Sequence, residues 1–457
     1  MLSNQENKKI CFIAVNSAWY QSNPALYYLR NALEGLPYHF EIYEFIADEP
    51  LFDVLSTIVN SKADILCFSA YIWNQLYLKL LIPEVKKLLP EAKIVIGGPS
   101  ALCEDYKLND SDFIVKGAGE GALRYLAENN FSLEGGIYEV PAPSLNTLSF
   151  LYKEEDRAAL EGKLVYYECS RGCPFHCIYC LSARDNRKEL RFNPESSEDR
   201  TRLYNEMEQL LTLKPRTVKF VDRCFNSNPD LAHLIWDYVI QMQADCEFHF
   251  EIFPELLEEE DLTLLAKAPP HRIRLEAGVQ TVNPDIAKAC GRSSNWEKAK
   301  KSLAFLCENT QIQLHTDLLA GLPGESMASV LHSLDELASI FPDEIQLGSL
   351  KILPDTPMYD LAKQKHYLWL DTPLWQVLRT DTLSFAELST LNALGKILNL
   401  YWNKGEFNSE WRTLLDSGKK ASQLALSLLA YHQENHIPLH SISRQERYNI
   451  FATVSNL

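Results

Sequence analysis

Short apolar runs alternate with helical patterns along the first third of this chain of 457 residues. The patterns predict strands at residues 9–15, 40–45, 64–70, 93–96 and 112–115, and helices at residues 24–34, 51–61, 76–89 and 121–129. Apolar strands that alternate with helices indicate a buried parallel sheet flanked by helices. Glycines follow two of the strands, in Gly97-Gly98 and in the run from Gly117 to Gly121. Ligands of such sheets bind at the carboxyl ends of the strands, so these loops are the predicted mouth of a site.

A second series of strands and helices follows a segment rich in glycine and proline. Its predicted strands are residues 164–168, 217–222, 248–253, 273–278, 313–318 and 344–350, with helices between them that include residues 199–213, 229–243 and 296–309. Six βα units in series predict a partial or complete (β/α)6 barrel, with active loops at the C-terminal ends of its strands.

These patterns together predict an α/β protein of several parts. We expect a Rossmann-like domain at residues 1–135, a linker at 136–160, the barrel at 161–355 and a mostly helical C-terminal cap at 356–457. The cap is rich in Trp and Tyr.

The composition narrows the class of protein. The 44 Lys and Arg residues against 61 Asp and Glu residues give a formal net charge of −17, which is poorly suited to gripping phosphate backbones by bulk charge. The longest apolar runs fall short of the roughly 20 residues that a membrane span needs. The N-terminal segment lacks the pattern of a signal peptide, so we expect a cytoplasmic protein.

The cysteines carry the strongest chemical signal. The chain has 11 of them, an odd number that argues against a disulfide framework, and four crowd into residues 169–180. Within this group, Cys173, Cys177 and Cys180 lie at the spacing C-x3-C-x2-C. Three thiolates on one loop can hold an iron–sulfur cluster that has one iron open to a small molecule. A zinc ion with His176 or Cys169 as its fourth ligand is the alternative, and a loop without metal is the third.

The sequence Cys173-Pro-Phe-His-Cys-Ile-Tyr-Cys180, directly after the first barrel strand, resembles the radical S-adenosylmethionine (SAM) superfamily. The resemblance implies that Cys173, Cys177 and Cys180 hold a [4Fe–4S] cluster and that SAM binds its open iron. The cluster would then cleave SAM to methionine and a 5′-deoxyadenosyl radical. Tyr179 would pack near the adenine.

Later barrel segments extend this resemblance over approximately residues 160–355. The ends of strands two to five and the turn after strand four match segments that line the active site or bind SAM in the superfamily. The residues carried over as SAM contacts are Glu251, Glu276, Gln280, Arg292 and Gly321. Asp222 and Cys224, at the end of strand two, are the candidate catalytic residues, although a buried cysteine is more often a small apolar filler.

The N-terminal part resembles cobalamin-binding domains. Ser69 and Tyr71 match an S-x-L pattern with Tyr in place of Leu, and Gly97-Gly98 match the glycine pair that lets the nucleotide tail pass. The loop at Gly117, Gly119 and Glu120 is like the one that closes this pocket. A D-x-H-x-x-G motif is missing from the loop at residues 16–23, so a protein imidazole is not expected on cobalt. A domain without cofactor, in which Trp19 and Tyr20 only pack, is the alternative.

The whole chain therefore resembles cobalamin-dependent radical SAM enzymes. The segment at residues 347–358 is similar to a subgroup of unassigned chemistry, which usually has glycine where Asp355 stands here. The resemblance implies methylation of an unactivated carbon through the adenosyl radical and methylcobalamin. Alternatives are a radical rearrangement, cyclisation or oxidation without methyl transfer, modification of an RNA base, and a cofactor-bearing accessory protein.

The resemblance also sets expectations for partners. We expect a small-molecule or peptide substrate, with RNA as the alternative, and an electron donor such as flavodoxin or ferredoxin. A membrane partner is not expected, and the sequence leaves the oligomeric state open.

Overall fold

A computed structural model of the chain describes residues 8–103, 105–109, 112–185 and 187–455. The chain divides into two compact units, one formed by residues up to 167 together with 201–219, and the other by 168–200 together with 220–457. The domain boundaries drawn from the sequence stay predictions.

The N-terminal part contains a six-stranded sheet in the order β2-β1-β3-β4-β5-β6, in which all neighbouring strands are parallel. The strands are β1 (Lys8–Asn16), β2 (Tyr38–Ile46), β3 (Ile65–Ser69), β4 (Lys93–Gly97), β5 (Phe113–Val115) and β6 (Gly136–Tyr138). The helices are α1 (Pro24–Ala32), α2 (Leu51–Ser61), α3 (Gln75–Leu88), α4 (Gly119–Glu128) and α5 (Arg157–Leu160). Strand β6 lies inside the segment that the sequence predicts as a linker.

Local sequence explains where these elements begin. Helix α1 begins at Pro24 because the side chain of Asn23 accepts the backbone N–H of Ala25 at 3.2 Å and Pro24 needs no N–H partner. Strand β1 is buried from Ile10 to Val15, as expected for a central strand of a sheet covered on both faces. The predicted buried parallel sheet is confirmed.

The second sheet also has six strands, in the order β14-β13-β12-β11-β10-β7, so each strand lies beside the one before it in sequence. Its strands are β7 (Leu164–Tyr167), β10 (Thr217–Phe220), β11 (Glu247–Ile252), β12 (Ile273–Gln280), β13 (Gln313–Ala320) and β14 (Glu344–Ser349). Strands β8 (Ser170–Arg171) and β9 (Glu189–Leu190) form a small antiparallel ladder. With β14 and β7 at its two edges, the sheet is the predicted partial barrel.

Helices follow most strands of this sheet. They are α6 (Ser197–Thr212), α7 (Pro229–Gln241), α8 (Glu259–Leu265), α9 (Pro284–Ala289), α10 (Trp296–Asn309), α11 (Met327–Ile340) and α12 (Pro357–Gln364). A short hairpin of β15 (Leu368–Trp369) and β16 (Val377–Arg379) comes next. The C-terminal helices are α13 (Phe385–Tyr401), α14 (Asn408–Asp416), α15 (Ala421–Glu434) and α16 (Arg444–Ser455).

The C-terminal helices pack on the barrel strands, as α13 does on β14. Gly395 permits this close approach, because a Cβ there would lie 2.7 Å from the carbonyl oxygen of Leu347. A buried hydrogen bond of 2.7 Å between Tyr401 Oη and His432 Nε2 joins α13 to α15. The predicted helical C-terminal part is therefore confirmed. In the part of the chain that the structure describes, we find no helix with the length and apolar character needed to cross a membrane.

Candidate active site

The loop that carries the three cysteines is held by main-chain hydrogen bonds from several elements. The N–H of Cys173 donates to the carbonyl of Asp185 at 2.9 Å. Midway along the loop, Ile178 donates to the carbonyl of Cys290 at 3.0 Å and accepts from the N–H of Met358 at 3.0 Å. The turn after α9 and the start of α12 therefore both hold the loop through the main chain of Ile178.

Glycine is required where that turn meets the loop. Gly291 has a φ of +68°, and a Cβ at this position would lie 2.8 Å from the carbonyl oxygen of His176. A side chain would push the loop away from α9.

The three thiols of the loop lie near one another. Cys177 is buried, while Cys173 and Cys180 are half-buried. Among the described residues, no three or more His, Cys, Asp or Glu side chains form a group that could hold one metal ion. A [4Fe–4S] cluster makes a different demand, because each thiolate binds a separate iron atom. The three cysteines are close enough to interact electrostatically, and burial followed by the neighbouring thiols raises the pKa of Cys173.

Arg292 lies beside the cysteine loop on an aromatic support. Its guanidinium is 4.1 Å from the centre of the Phe253 ring, and Phe253 stacks on Phe175 of the loop at 4.3 Å. The guanidinium also donates to the carbonyl of Gly278 at the end of β12. Burial raises the pKa of Tyr179, although the charge of Arg292 opposes the shift. The sequence analysis named Arg292 and Tyr179 as candidate site residues but not Phe253. Phe253 directly follows β11, and this position after a barrel strand is the signal that could have indicated it.

Asp222 and Cys224, the two candidate catalytic residues, have different surroundings. The carboxylate of Asp222 accepts the N–H of Cys169 at 3.0 Å and the hydroxyl of Ser170 at 2.5 Å. Burial raises the pKa of Asp222 to about 7. These contacts brace the chain just before the cysteine loop, which is a positioning role.

Cys224 is buried, with its Sγ 3.6 Å from Oδ1 of Asn226. Burial, then the nearby Cys173, raises the pKa of its thiol to about 12. Asn226 in turn bonds both the N–H and the carbonyl of Phe253, at 2.9 and 3.0 Å. The thiol therefore lies on the cysteine-loop side of β10 and stays protonated.

Alternating burial along β11 to β14 places polar side chains on one face of the sheet. On β12, Leu275 and Ala277 are buried, whereas Arg274 and Glu276 are only half-buried. The strand register aligns Glu251, Glu276, His315 and Glu344 in one row across the four strands. We give the polar side chains on this face one name, the barrel-floor network. Its members are His249, Glu251, Arg274, Glu276, His315, Asp317 and Glu344.

Ion pairs join the members of the barrel-floor network. His249 Nε2 lies 3.0 Å from Glu276, Arg274 lies 2.8 Å from Glu344, and His315 Nε2 lies 3.2 Å from Asp317. Burial opposes charge on His315, but its contact with Asp317 and the charges of Glu276 and Glu344 outweigh burial and raise its pKa.

Sequence reasoning assigned only Glu251 and Glu276 from this network. The i, i+2 spacing of His315 and Asp317 on β13 is the signal that points to the others.

The remaining predicted SAM contacts lie at the carboxyl ends of strands. Gln280 ends β12 with a φ of +70°. Gly321 follows β13 with a φ of +99°, and a Cβ there would lie 2.8 Å from a methyl carbon of Val377 in β16. The C-terminal hairpin therefore packs directly on this turn.

Glu325 is a buried acid near the same ends of strands. It accepts a hydrogen bond of 2.9 Å from Thr281, and its side chain is 1% exposed. Burial raises its pKa from 4.5 to about 7. Between about pH 4.5 and pH 7, Glu325 is therefore protonated in the folded protein and ionised in the unfolded chain.

We expect Glu325→Gln to flatten the pH dependence of stability. In the wild type, the free energy of unfolding should fall as the pH rises from about 4.5 to about 7, by on the order of 3 kcal/mol from this residue. Glutamine keeps the acceptor for Thr281 and cannot ionise. Urea unfolding at pH 5 and pH 8 measures the difference, and equal pH dependence in both proteins would contradict the role of Glu325.

The N-terminal sheet places the other predicted residues at its carboxyl edge. Ser69, at the end of β3, is buried, and its Oγ accepts from Nδ2 of Asn23 at 3.0 Å. Asn74 is fully buried and donates to the carbonyls of Val15 and Ser69 at 3.1 and 2.9 Å. Sequence reasoning missed Asn74, which fixes the ends of β1 and β3 relative to each other.

The ends of β3 and β4 approach each other closely through their main chains at this edge. Gly98 has a φ of +103°, and a Cβ there would lie 2.6 Å from the carbonyl oxygen of Ala70. At Gly97 the nearest atom to such a Cβ is 3.7 Å away. Of the predicted glycine pair, Gly98 is therefore the position that tolerates no side chain. The contact of this glycine pair with a nucleotide tail stays a prediction.

Aromatic side chains follow β1 and β3 at this edge. The half-buried Tyr71 stacks on Trp73 with ring centres 4.4 Å apart, and Trp73 donates its indole N–H to the carbonyl of Val15 at 3.2 Å. Trp19 is 68% exposed and Tyr20 is 39% exposed. The contact of Tyr71 with cobalamin stays a prediction.

The loop at Gly117, Gly119 and Glu120 leads into α4. Gly117 has a φ of +82°, and a Cβ on Gly119 would lie 2.9 Å from a methyl carbon of Leu29. Glu120 is buried in the first turn of α4, where a carboxylate interacts favourably with the helix dipole. Backbone conformation at Gly117, packing at Gly119 and the helix dipole at Glu120 thus explain why these residues suit their positions.

Three protein-family models match successive parts of the chain. They are the B12 binding domain over residues 10–127, the Radical SAM superfamily over residues 167–337 and a protein of unknown function (DUF4080) over residues 364–456. A B12 binding domain binds cobalamin, and the radical SAM superfamily uses a [4Fe–4S] cluster and SAM. The cofactors predicted from the sequence are confirmed at this level.

A curated relative and two solved structures have similar domain composition or fold. The cobalamin-dependent radical SAM methyltransferase TokK of Streptomyces tokunonensis is 24% identical over 348 residues, covering 67% of this chain and 49% of TokK. The methyltransferase TsrM of Kitasatospora setae superposes with a TM-score of 0.64 at 18% identity, covering 78% of this chain and 76% of TsrM. The cobalamin-dependent radical enzyme OxsB superposes with a TM-score of 0.68 at 13% identity, covering 99% of this chain and 79% of OxsB.

Other curated relatives match only part of the chain. The oxygen-independent coproporphyrinogen III oxidase of Paracoccus denitrificans is 31% identical over 108 residues, which is 24% of either protein. This chain thus spans about a quarter of the length of that relative. The chain therefore combines a B12 binding domain with a Radical SAM domain, a combination shared with cobalamin-dependent radical SAM enzymes to which it is similar.

Proposed function

We propose that the protein transfers a methyl group from SAM to an unactivated carbon, with cobalamin as the methyl carrier. The single observation that carries this proposal is the presence, in one chain, of a cobalamin-binding domain and a radical SAM domain. TokK and TsrM, which combine the same cofactors, are both named methyltransferases.

In this proposal the three cysteines and the residues around them hold the cluster and SAM. When bound, the cluster would supply the electron that cleaves SAM, and cobalamin would carry the methyl group. Cys173, Cys177 and Cys180 would be the cluster ligands. The SAM contacts that the family resemblance implies are Tyr179, Glu251, Glu276, Gln280, Arg292 and Gly321.

Arg292 is the best supported of these SAM contacts. Its guanidinium is oriented by Phe253 and by the carbonyl of Gly278, and it lies next to the cysteine loop. A planar guanidinium held in this way suits a carboxylate ligand such as that of SAM.

The N-terminal residues would hold cobalamin. The nucleotide tail would pass Ser69, Gly97 and Gly98, and Tyr71 would cover part of the corrin. Gly117, Gly119 and Glu120 would close the pocket. Asp222 would act as a positioning residue, and the protonated thiol of Cys224 is the candidate hydrogen donor in the active site.

The barrel-floor network disfavours RNA as the substrate. Its four carboxylates face at most three cations, Arg274, His249 and His315, so without SAM this face carries net negative charge. Such a face repels the phosphates of RNA. We infer a small-molecule or peptide substrate and an electron donor of the flavodoxin or ferredoxin type.

Product analysis tests the proposed function. The protein is purified without oxygen, supplied with cobalamin, and incubated with a reductant, a cell metabolite extract and SAM that carries a CD3 methyl group. Methyl transfer consumes two SAM molecules, so S-adenosylhomocysteine, 5′-deoxyadenosine with methionine, and a CD3-labelled product should appear together. Formation of 5′-deoxyadenosine without S-adenosylhomocysteine would instead favour a rearrangement or oxidation. Formation of neither would indicate an accessory protein.

We expect Arg292→Lys to weaken SAM binding about tenfold while leaving the iron content unchanged. Lysine keeps the charge but loses both the planar stack on Phe253 and the fork that matches a carboxylate. Equilibrium binding of SAM to the reconstituted protein measures the change. The matched control is Arg200→Lys on the exposed side of α6, and equal SAM affinity in both variants would exclude Arg292 as a SAM contact.

A further inference from the structure

Gln75, the first residue of α3, has an unusual environment for an amide. Its side chain is fully buried. Neither its amide oxygen nor its amide nitrogen has a hydrogen-bond partner among the residues that the structure describes. Buried polar groups in folded proteins are almost always paired, because an unpaired one costs stability. The amide therefore calls for a partner from outside these residues.

The position of Gln75 shows where such a partner would lie. It shares its helix face with three buried residues of the hydrophobic core, Leu78, Ile82 and Val85. Its neighbour Asn74 bonds the carbonyls of Val15 and Ser69 at the ends of β1 and β3. Helix α3, whose first residue is Gln75, thus begins at the carboxyl edge of the first sheet, the edge that also carries Gly98.

We propose that Gln75 hydrogen-bonds the nucleotide tail of bound cobalamin. The tail presents ribose hydroxyls and phosphate oxygens, and an amide offers both donors and an acceptor to such groups. Ser69 and Gly98 lie at the same edge, so a tail bound there would come close to the start of α3. This inference rests on the cobalamin-binding part of the proposed function and adds a residue that the family pattern does not contain.

The variant Gln75→Met distinguishes this role from a structural one. Methionine has a similar size and cannot make these hydrogen bonds. The stability of the protein without cobalamin should therefore increase, while its affinity for cobalamin should decrease. Without cobalamin, the variant should unfold at a higher temperature than the wild type, because the unpaired amide is gone. The dissociation constant for cobalamin should rise about tenfold or more, because the tail loses its partner.

Cobinamide identifies the part of the cofactor involved, since it keeps the corrin amides but lacks the nucleotide. It should bind the wild type and Gln75→Met equally well. Binding is followed by the absorbance of the corrin on the full-length protein with its cluster reconstituted. The matched control is Gln209→Met on the exposed surface of α6, which should change neither the unfolding temperature nor either affinity.

Three results would overturn the proposal. A lower unfolding temperature with unchanged cobalamin affinity would show that Gln75 is a structural residue paired with internal water. An equal loss of cobalamin and cobinamide would place its partner on the corrin. Failure of the wild type to bind cobalamin would remove both this role and the cobalamin part of the proposed function, whereas failure of methyl transfer by a cobalamin-loaded protein would leave the role of Gln75 intact.

Discussion

Replacement of Cys173, Cys177 and Cys180 together by alanine is expected to abolish both cluster binding and cleavage of SAM. An iron–sulfur cluster is held by thiolates, and alanine offers no ligand in their place. Without a cluster, the reaction should fall to the uncatalysed level, a loss of at least about 10⁶-fold. Iron and sulfide analysis after reconstitution measures the first effect, and 5′-deoxyadenosine formation measures the second.

Cys307→Ala is the matched control for this variant, because Cys307 lies on α10 and is not part of the cysteine loop. It should keep full iron and sulfide content. If the triple variant still binds a cluster, the ligands lie elsewhere. If the wild type instead holds one zinc ion at this loop, radical chemistry is excluded.

Gly98→Ala is expected to eliminate tight cobalamin binding, with at least a 100-fold loss of affinity. The added Cβ would lie 2.6 Å from the carbonyl oxygen of Ala70, and this backbone oxygen cannot yield without moving the chain that follows β3. The φ of +103° adds strain, which costs about 1–2 kcal/mol for a residue with a side chain. Corrin absorbance retained after gel filtration measures the effect.

Gly35→Ala is the control that separates backbone strain from the clash with Ala70. Gly35 also has a positive φ, +82°, but a Cβ there meets nothing within 4 Å. This control should lose some stability and keep its cobalamin. Iron content of the Gly98→Ala protein shows whether the radical SAM domain remains intact. Normal cobalamin affinity in Gly98→Ala would exclude the chain around Gly98 as the binding site of the nucleotide tail.

The fold class followed from local patterns because each strand and helix is encoded by its own run of residues. The apolar run at residues 9–15 became β1, and the helical pattern at residues 51–61 became α2 with the same bounds. The short strands β6, β8, β9, β15 and β16 were not predicted, and β6 shows why. It is three residues long and begins at Gly136, and so short a run beside glycines carries no strand pattern.

Asp355 shows how structure explains a departure from a family pattern. Its φ is +60°, in the region where glycine costs least, and the subgroup usually has glycine there. The sequence comparison identified the odd residue, but only the backbone conformation explains why glycine is usual.

The candidate cluster ligands and the glycine pair could be predicted from the sequence because their patterns are local. The three cysteines lie within eight residues, and Gly97-Gly98 follow one strand directly. Contacts between distant segments needed the folded chain. Arg274 on β12 and Glu344 on β14 are 70 positions apart and meet across the intervening strand β13. Burial depends on the whole packed sheet in the same way, so neither the unpaired amide of Gln75 nor the retained proton of Glu325 is visible until the elements have packed.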